Sequence, residues 1–275
     1  MILKIKIFIT KIFITLPKNT YFRYINKYIN HYTFDNSKYT DSFIGSSLKV
    51  NTVLLNKAPE IIYIFWTGDN PMTQNRIKGV DSLKKTAEVE VKLITIQNLN
   101  KYILPNHPLH HSYNYLSCVH KSDYLRCYFM LHYGGGYSDI KQTFNSWKKY
   151  FHELNNNSNL WCLGYGEDGF WNVPNIKGKI GKDAQKYFYL LIGNGAYIFK
   201  PYSPIAIEWM QELNKRMDDL APKLIQYPGD VFGKNPGYPV GWSFILGQIL
   251  HPIMLKYNDR IIKNNSIKPD IRNYR

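Results

Sequence analysis

The chain has 275 residues, of which 44% are hydrophobic and 16% aromatic, so it can bury a core and is not intrinsically disordered. It has 35 Lys and Arg against 20 Asp and Glu, a formal net charge of +15. No window of about 18 apolar residues is free of charge, which excludes a multi-spanning membrane protein. The three cysteines are widely spaced and form neither a zinc pattern nor a disulfide framework, so we expect a reducing compartment.

The excess of positive charge is compatible with three kinds of partner: nucleic acid, anionic lipid, or a phosphorylated small molecule. The sequence contains no zinc-finger pattern, no aromatic-basic RNA-binding signature and no leucine heptads. We therefore expect no sequence-specific nucleic-acid partner.

The segment 1–17 is apolar but is interrupted by Lys4, Lys6 and Lys11, so it is too short and too charged to span a membrane. A strand or docked extension is favoured. The alternative is a helix on a membrane surface, because Lys4, Lys11 and Lys18 would share one helical face. The expected location is cytoplasmic or peripheral at a membrane.

Residues 18–50 are polar and tyrosine-rich without a clear period. We predict an N-terminal extension over 1–57 and one folded domain over 58–275.

From residue 58 onward, strand-like and helix-like segments alternate. The continuous β-branched and aromatic run Ile61–Trp66 predicts a strand that is buried on both faces, as in a parallel sheet. The other predicted strands are 89–96, 137–140 and 191–199. The predicted helices are 73–86, 122–133, a helix that begins after Ser203, and 242–250. Ser122 is the predicted N-cap of the second helix and Gly134 ends it, while Ser203 caps the third helix and Pro204 is its first residue. This alternation predicts an α/β fold with ligands at the carboxyl ends of the strands.

The segment from Ser122 to Lys141 carries the most chemical information. Asp123 and Arg126 are three residues apart, so on a helix they share one face. They can grip a ligand together or form an ordinary surface ion pair, and spacing alone favours the ion pair. After three glycines and a short strand comes Asp139, whose carboxylate is expected to project into the crevice at the strand end.

These residues resemble the central motif of nucleotide-sugar transferases in glycosyltransferase family 32 and the capsular polysaccharide synthesis family. The shared pattern is Ser-Asp-x-x-Arg, an apolar helix, a Gly-Gly turn, an aromatic residue and a strand ending in Asp-x-Asp. Segments 59–68 and 193–201 resemble further strands of these enzymes in the same order, so the likeness covers about residues 58–255. One departure is clear, because Lys141 stands where the second aspartate is found.

The resemblance implies a GT-A-like single domain, with a mixed, mostly parallel sheet flanked by helices. It also implies a hexosyltransferase that moves a sugar from a nucleoside-diphosphate sugar to a glycan, lipid-linked or protein acceptor, as in polysaccharide biosynthesis, with retention of configuration. The alternative is a catalytically inactive GT-A-like protein that binds a membrane surface or polyanions.

The resemblance also implies roles for individual residues. Asp123 and Arg126 correspond to the pair that holds the donor-sugar hydroxyls and the leaving diphosphate. Trp66, followed by Gly68, corresponds to the residue that stacks on the base, although a core aromatic fits the same position. Tyr137 corresponds to a ribose contact.

Two further positions have a weaker basis. Asn194 corresponds to a sugar-facing residue, with a turn role as the alternative. His251 corresponds to a late histidine near the diphosphate or metal, but a structural histidine at a helix end is favoured.

Two residues receive no role from the resemblance. Cys127 is expected to be a buried packing residue rather than a nucleophile. For Asp230, a loop contact and a turn residue remain equal alternatives.

Asp139 corresponds to the first metal-site aspartate, and Lys141 leaves two interpretations open. In the first, which we favour here, Lys141 points away while Asp139, His251 and the diphosphate hold Mn²⁺ or Mg²⁺ weakly. In the second, the ammonium of Lys141 takes the role of the cation beside the phosphates, since lysine binds phosphate as a point charge.

Overall fold

The computed structural model describes residues 18–28, 31–46, 49–50 and 54–272, and these ranges contain six strands and seven α-helices. The strands are β1 (Ile61–Trp66), β2 (Glu90–Thr95), β3 (Gly135–Ser138), β4 (Cys162–Gly166), β5 (Ile192–Phe199) and β6 (Ile261–Lys263). The helices are α1 (Lys18–Tyr28), α2 (Gln74–Thr86), α3 (Cys118–His132), α4 (Lys148–Asn155), α5 (Gly178–Lys186), α6 (Pro204–Gln226) and α7 (Gly247–Lys256).

All six strands form one sheet in the order β2-β1-β3-β5-β4-β6. β1 is parallel to β2 and to β3, and β4 is parallel to β6. β5 is antiparallel to both of its neighbours, β3 and β4. The fold is therefore a mixed, mostly parallel α/β sheet flanked by helices, consistent with a GT-A-like single domain.

The side chains of β1 alternate between two cores, one on each face of the sheet. Ile62 and Ile64 belong to the smaller core, with residues of α2 and α4. Tyr63 and Phe65 belong to the larger core, with residues of α3, α6 and α7. The predicted burial of this strand on both faces is confirmed.

The helix before the glycines begins earlier than predicted. Its N-cap is Ser117, whose Oγ accepts a hydrogen bond of 3.2 Å from the backbone N–H of His120. Ser122 lies inside the helix, so its prediction as N-cap was wrong, because residues 118–121 are already helical and Ser117 supplies the cap. The predicted stop is confirmed, since Gly134 follows the C-cap Tyr133 and has a φ of +64°.

The helix predicted over 242–250 also differs in the structure. Residues 242–246 form turns, with the Phe244 N–H bonded to the Gly241 carbonyl at 2.9 Å, and α7 begins only at Gly247. His251 therefore lies within a helix that continues through Pro252, and not after the end of one.

The other predicted elements, the helix 73–86 and the strands 89–96, 137–140 and 191–199, agree with the structure to within two residues, whereas α1, α4, α5, β4 and β6 were not predicted. Ser203 caps α6 by accepting a hydrogen bond from the Ala206 N–H, and Pro204 is its first residue. On the predicted apolar face of α6, Met210, Leu213 and Met217 are buried, whereas Ile207 is 36% exposed.

The residues before the sheet contribute to the larger core through Tyr39 and Ile44. The boundary at residue 57 stays a prediction. The segment 1–17 and its proposed membrane contact lie outside the described residues. Among the helices that the structure does describe, none has the length and apolar character needed to cross a bilayer.

Candidate functional site

The glycine turn and β3 fix the position of Asp139. Gly135 has a φ of +85°, and a Cβ at Gly136 would lie 3.0 Å from Ile62 and 3.1 Å from Trp147. The first two positions of β3 therefore require glycine. β3 ends at Ser138, and the N–H of Asp139 then donates a 2.7 Å hydrogen bond to the carbonyl of Gly195 in β5. Asp139 thus leaves the sheet at the carboxyl end of a central strand.

Arg126 connects the two aspartates of the motif. Its Nη2 lies 3.2 Å from Oδ1 of Asp123 and 3.4 Å from Oδ1 of Asp139, and its Nη1 donates to the carbonyl of Asn194 at 3.0 Å. The side chains of Asp123 and Arg126 are only 3% and 11% exposed. The pair is therefore not a surface ion pair, which was the alternative that spacing alone favoured.

Tyr137 lies beneath this cluster. Its hydroxyl donates a 2.7 Å hydrogen bond to Oδ1 of Asp139, and the guanidinium of Arg126 lies 4.5 Å from the centroid of its ring. The side chain is buried, so in this structure Tyr137 orients Asp139 and Arg126 from below.

Lys141 points toward Asp139, so the favoured prediction that it points away was wrong. Its ammonium lies 2.7 Å from Oδ2, and the side chains of the pair are 13% and 19% exposed. Burial alone would raise the pKa of Asp139, but the charges of Lys141 and Arg126 and hydrogen bonds from Lys141 and Tyr137 lower it to about 2. Asp139 is thus ionised at neutral pH and is held by two cations.

Asn194, near the start of β5, lies beside His251. Its Nδ2 is 3.3 Å from Nε2 of His251, which is itself 3.5 Å from Oε1 of Glu167. His251 is fully buried, and burial lowers its pKa to about 4, so the ring is neutral at pH 7. The Oδ1 of Asn194 and the Nε of Arg126 are buried and find no hydrogen-bond partner among the described residues.

These groups surround a cleft of about 460 Å³. Four predicted site residues line it: Asp123, Arg126, Asp139 and Asn194. The wall also contains Glu167, Asp168, Asn172, Trp242 and Lys268. Because β3 and β4 point the same way and β5 runs against them, the ends of β3 and β4 and the start of β5 meet at this cleft.

Trp66 and Gly68 lie at the end of β1 and are not part of the cleft wall. The indole N–H of Trp66 donates to the carbonyl of Asn70 at 2.8 Å. Thr67 Oγ1 donates to the carbonyl of Cys118 at 2.6 Å, which joins the end of β1 to the start of α3. The base-stacking role of Trp66 stays a prediction.

The residues around Asp139 do not fit a bound divalent cation. Both carboxylate oxygens of Asp139 face cationic side chains, and His251 is fully buried and faces Asn194 and Glu167. A further positive ion there would be repelled by Lys141 and Arg126 at short range. The structure therefore gives no support to the metal pair Asp139 and His251.

Among the described residues, one group places three potential metal ligands within 4.8 Å of one another: His110, His111 and Asp218. None of them lines the cleft. The Nδ1 of His110 accepts a hydrogen bond from the Ser112 N–H, so in the neutral ring Nε2 carries the proton and donates it to Asp218 at 2.9 Å. That tautomer has no lone pair on Nε2 for a metal.

Glu167 is a buried carboxyl group of the cleft that the sequence did not predict. It is 5% exposed, and burial raises its pKa to about 7, although a hydrogen bond with Asn172 opposes that shift. Its neighbour Asp168 pairs with Lys268, which also lines the cleft. Glu167 directly follows β4, so the strand-end argument used for Asp139 could have found it if β4 had been predicted.

Two secondary predictions have clear outcomes. Cys127 is fully buried, as expected for a packing residue. Asp230 is a turn residue, because its Oδ1 accepts hydrogen bonds from the N–H groups of Phe232, Gly233 and Lys234.

The fold is consistent with a GT-A-like glycosyltransferase domain, and the comparison with protein families supports the same class. Residues 47–151 match the family model of the glycosyltransferase sugar-binding region containing the DXD motif. The match spans less than half of the chain and includes α3, the glycine turn and Asp139. This part of the chain is thus similar to the sugar-binding region of DXD-motif glycosyltransferases, which supports the resemblance. A comparison with curated proteins found no match.

Proposed function

We propose that the protein transfers a sugar from a nucleoside-diphosphate sugar to a glycan, lipid-linked or protein acceptor. The observation that carries this proposal is the buried cluster of Asp123, Arg126 and Asp139 in the wall of the cleft. Carboxylates are suited to bind sugar hydroxyls, and a guanidinium between them is suited to the departing diphosphate. The family match of residues 47–151 supports the same class of reaction.

The donor is proposed to lie across the cluster, with its diphosphate toward Arg126 and its sugar toward Asp123 and Asn194. The unpartnered Arg126 Nε and Asn194 Oδ1 support this orientation, because buried polar atoms without partners are costly unless a ligand pairs with them. Trp66 with Gly68 is proposed to meet the base, and Tyr137 to hold Asp139 and Arg126 in place.

Charge stabilisation is the main catalytic contribution that this chain offers. As the bond to the sugar breaks, negative charge grows on the diphosphate, and Arg126 is already fixed by two carboxylates and a carbonyl group. Such a prearranged cation needs no reorganisation during the reaction. Retention of configuration follows from the resemblance, and we assign no general base.

The test is a screen of UDP- and GDP-sugars in which released nucleotide is measured. Wild type should release nucleotide with at least one donor, and Asp123→Asn and Arg126→Lys should lose most of that turnover while their thermal unfolding stays cooperative. If no donor binds or reacts, the transferase proposal is wrong. Membrane-surface or polyanion binding, the alternative function, would then predict vesicle or heparin affinity that falls steeply with salt.

A further inference from the structure

We infer that the ammonium of Lys141 replaces the divalent cation of a DXD motif, so that this protein binds the diphosphate of its donor without a metal ion. The inference deepens the proposed function and rests on it. It concerns the one motif position at which the chain departs from its family.

The charges of the motif balance without an ion. In a DXD motif, the charges of two aspartates and one divalent cation sum to zero. Here the charges of Asp139 and Lys141 already sum to zero without an ion. Their oxygen and nitrogen atoms are 2.7 Å apart, and Arg126 adds a second cation 3.4 Å from the same carboxylate. A divalent ion added to this arrangement would bring two further charges next to two cations, which is unfavourable in a partly buried site.

The backbone holds Lys141 in this position. The carbonyl of Ile140, the preceding residue, accepts a 2.7 Å hydrogen bond from Arg76, and the N–H of Lys141 donates to the carbonyl of Asp139 at 2.8 Å. Gly79 of α2 packs against the backbone of Lys141 so closely that a Cβ there would lie 3.0 Å from its nitrogen. The turn that carries the lysine is therefore fixed from two sides.

The ammonium of Lys141 reaches the edge of the cleft where it contacts the carboxylate of Asp139. Lys141 does not line the cleft, whereas Asp139 does, and the two are in direct contact. An ammonium has three N–H groups, so it can hold Asp139 and a phosphate oxygen together. Shielding from bulk water strengthens its attraction for an anion that enters beside Asp139.

The experiment measures binding of UDP and GDP by calorimetry, in EDTA and in Mn²⁺, for the full chain. Wild type should bind one nucleotide with a Kd that differs by less than about twofold between the two conditions. Lys141→Met should weaken binding by about tenfold or more in both, because the fixed charge is lost. Lys141→Asp should bind weakly in EDTA and recover about tenfold or more in Mn²⁺, because it restores the aspartate pair.

The matched control is Lys179→Met, which removes a lysine that is also 2.7 Å from an aspartate but lies on α5 outside the cleft. Its nucleotide affinity should equal that of wild type. A wild-type affinity that falls by about tenfold or more in EDTA would overturn the inference.

A double variant distinguishes two roles of Lys141: attracting the diphosphate with its positive charge, and only neutralising the charge of Asp139. If Lys141 only neutralises the aspartate, Asp139→Asn combined with Lys141→Met should bind nucleotide as well as wild type, which would also overturn the inference. We expect the double variant to stay weak.

Failure of the proposed function has a different signature. If neither UDP nor GDP nor any donor binds in either condition, the transferase proposal fails. A titration with Mn²⁺, followed by electron paramagnetic resonance, then tests separately whether Lys141 takes the place of a metal ion. Wild type should then bind no Mn²⁺ at this site, and binding that disappears in Asp139→Asn would refute the role of Lys141.

Discussion

Arg76 donates a hydrogen bond from Nη1 to the carbonyl oxygen of Ile140, at a distance of 2.7 Å. Ile140 stands between Asp139 and Lys141, so an arginine on α2 holds the turn of the altered motif. Neither the spacing nor the charge of Arg76 in the sequence indicates this contact.

Arg76 does not line the cleft, but replacing it should displace Asp139 and Lys141, because it holds the turn between them. In Arg76→Met the turn loses a charge-assisted hydrogen bond, and we expect a loss of about 1–2 kcal/mol in the free energy of unfolding. Nucleotide affinity should fall as well, because Asp139 and Lys141 are less well fixed. Calorimetry and thermal unfolding check both effects, with the exposed Lys78→Met of the same helix as control. Unchanged nucleotide affinity in Arg76→Met would show that the turn does not depend on this contact.

Arg126→Lys should not be a conservative change. The guanidinium contacts Asp123, Asp139 and the carbonyl of Asn194 with two different nitrogens, and a single ammonium cannot span them. We expect kcat/KM for the best donor to fall by about 100-fold or more. Arg260→Lys is the control, because that arginine is similarly buried at 15% exposure but lies outside the cleft. Equal losses in the two variants would argue against a special role for Arg126.

Glu167 should make stability depend on pH. Its pKa is raised from 4.5 to about 7, because the folded protein favours the protonated carboxyl group. The resulting contribution to the free energy of unfolding is complete below pH 4.5 and is lost as the pH rises through 7. Glu167→Gln removes the buried charge, and its free energy of unfolding relative to wild type should rise by about 2–3 kcal/mol between pH 4.5 and pH 8. Chemical denaturation at several pH values measures this change, and the exposed Glu153→Gln should show no such trend.

Gly134→Ala should destabilise the protein by about 3 kcal/mol or more. Its φ of +64° disfavours any side chain, and a Cβ would lie 2.7 Å from the Pro201 nitrogen and 2.9 Å from the Phe199 carbonyl oxygen. Gly241→Ala is a suitable comparison, because its nearest neighbour would be 3.9 Å away. Denaturant unfolding should separate the two, and similar midpoints for both variants would contradict this account of the turn.

The sequence predicted the parts of the fold that local patterns determine. The apolar run of β1, the left-handed Gly134 and the Ser203-Pro204 start of α6 each have a local physical cause, and the structure contains all three. The start of α3 was missed because Ser117 and Ser122 can both serve as a helix cap, and the structure uses Ser117. β4 and β6 were missed as well, because both are short and β4 contains two glycines.

The candidate site was predictable where it follows the motif and hidden where it depends on tertiary contacts. Spacing put Asp123 and Arg126 on one helical face, but only the packing of α3 against the sheet shows that the pair is buried next to Asp139. The direction of Lys141 was predicted wrongly, because its turn is held by tertiary contacts with Arg76 and Gly79 that the sequence does not reveal. Glu167 joins the cleft only through the pairing of β4 with β5.

The antiparallel strand β5 also determines which part of the chain can fold alone. A fragment limited to the family-matched residues 47–151 contains β1, β2 and β3 but ends before β4 and β5. In such a fragment β3 would lose its partner on one side and expose a row of unpaired N–H and C=O groups, which invites pairing with other chains. The fragment would also lack the Gly195 carbonyl that receives the Asp139 N–H and the Asn194 carbonyl that receives Arg126. Residues 47–151 are therefore a unit of sequence similarity that lacks the partners of β3, and we expect truncation at residue 151 to give aggregates rather than a smaller binding module.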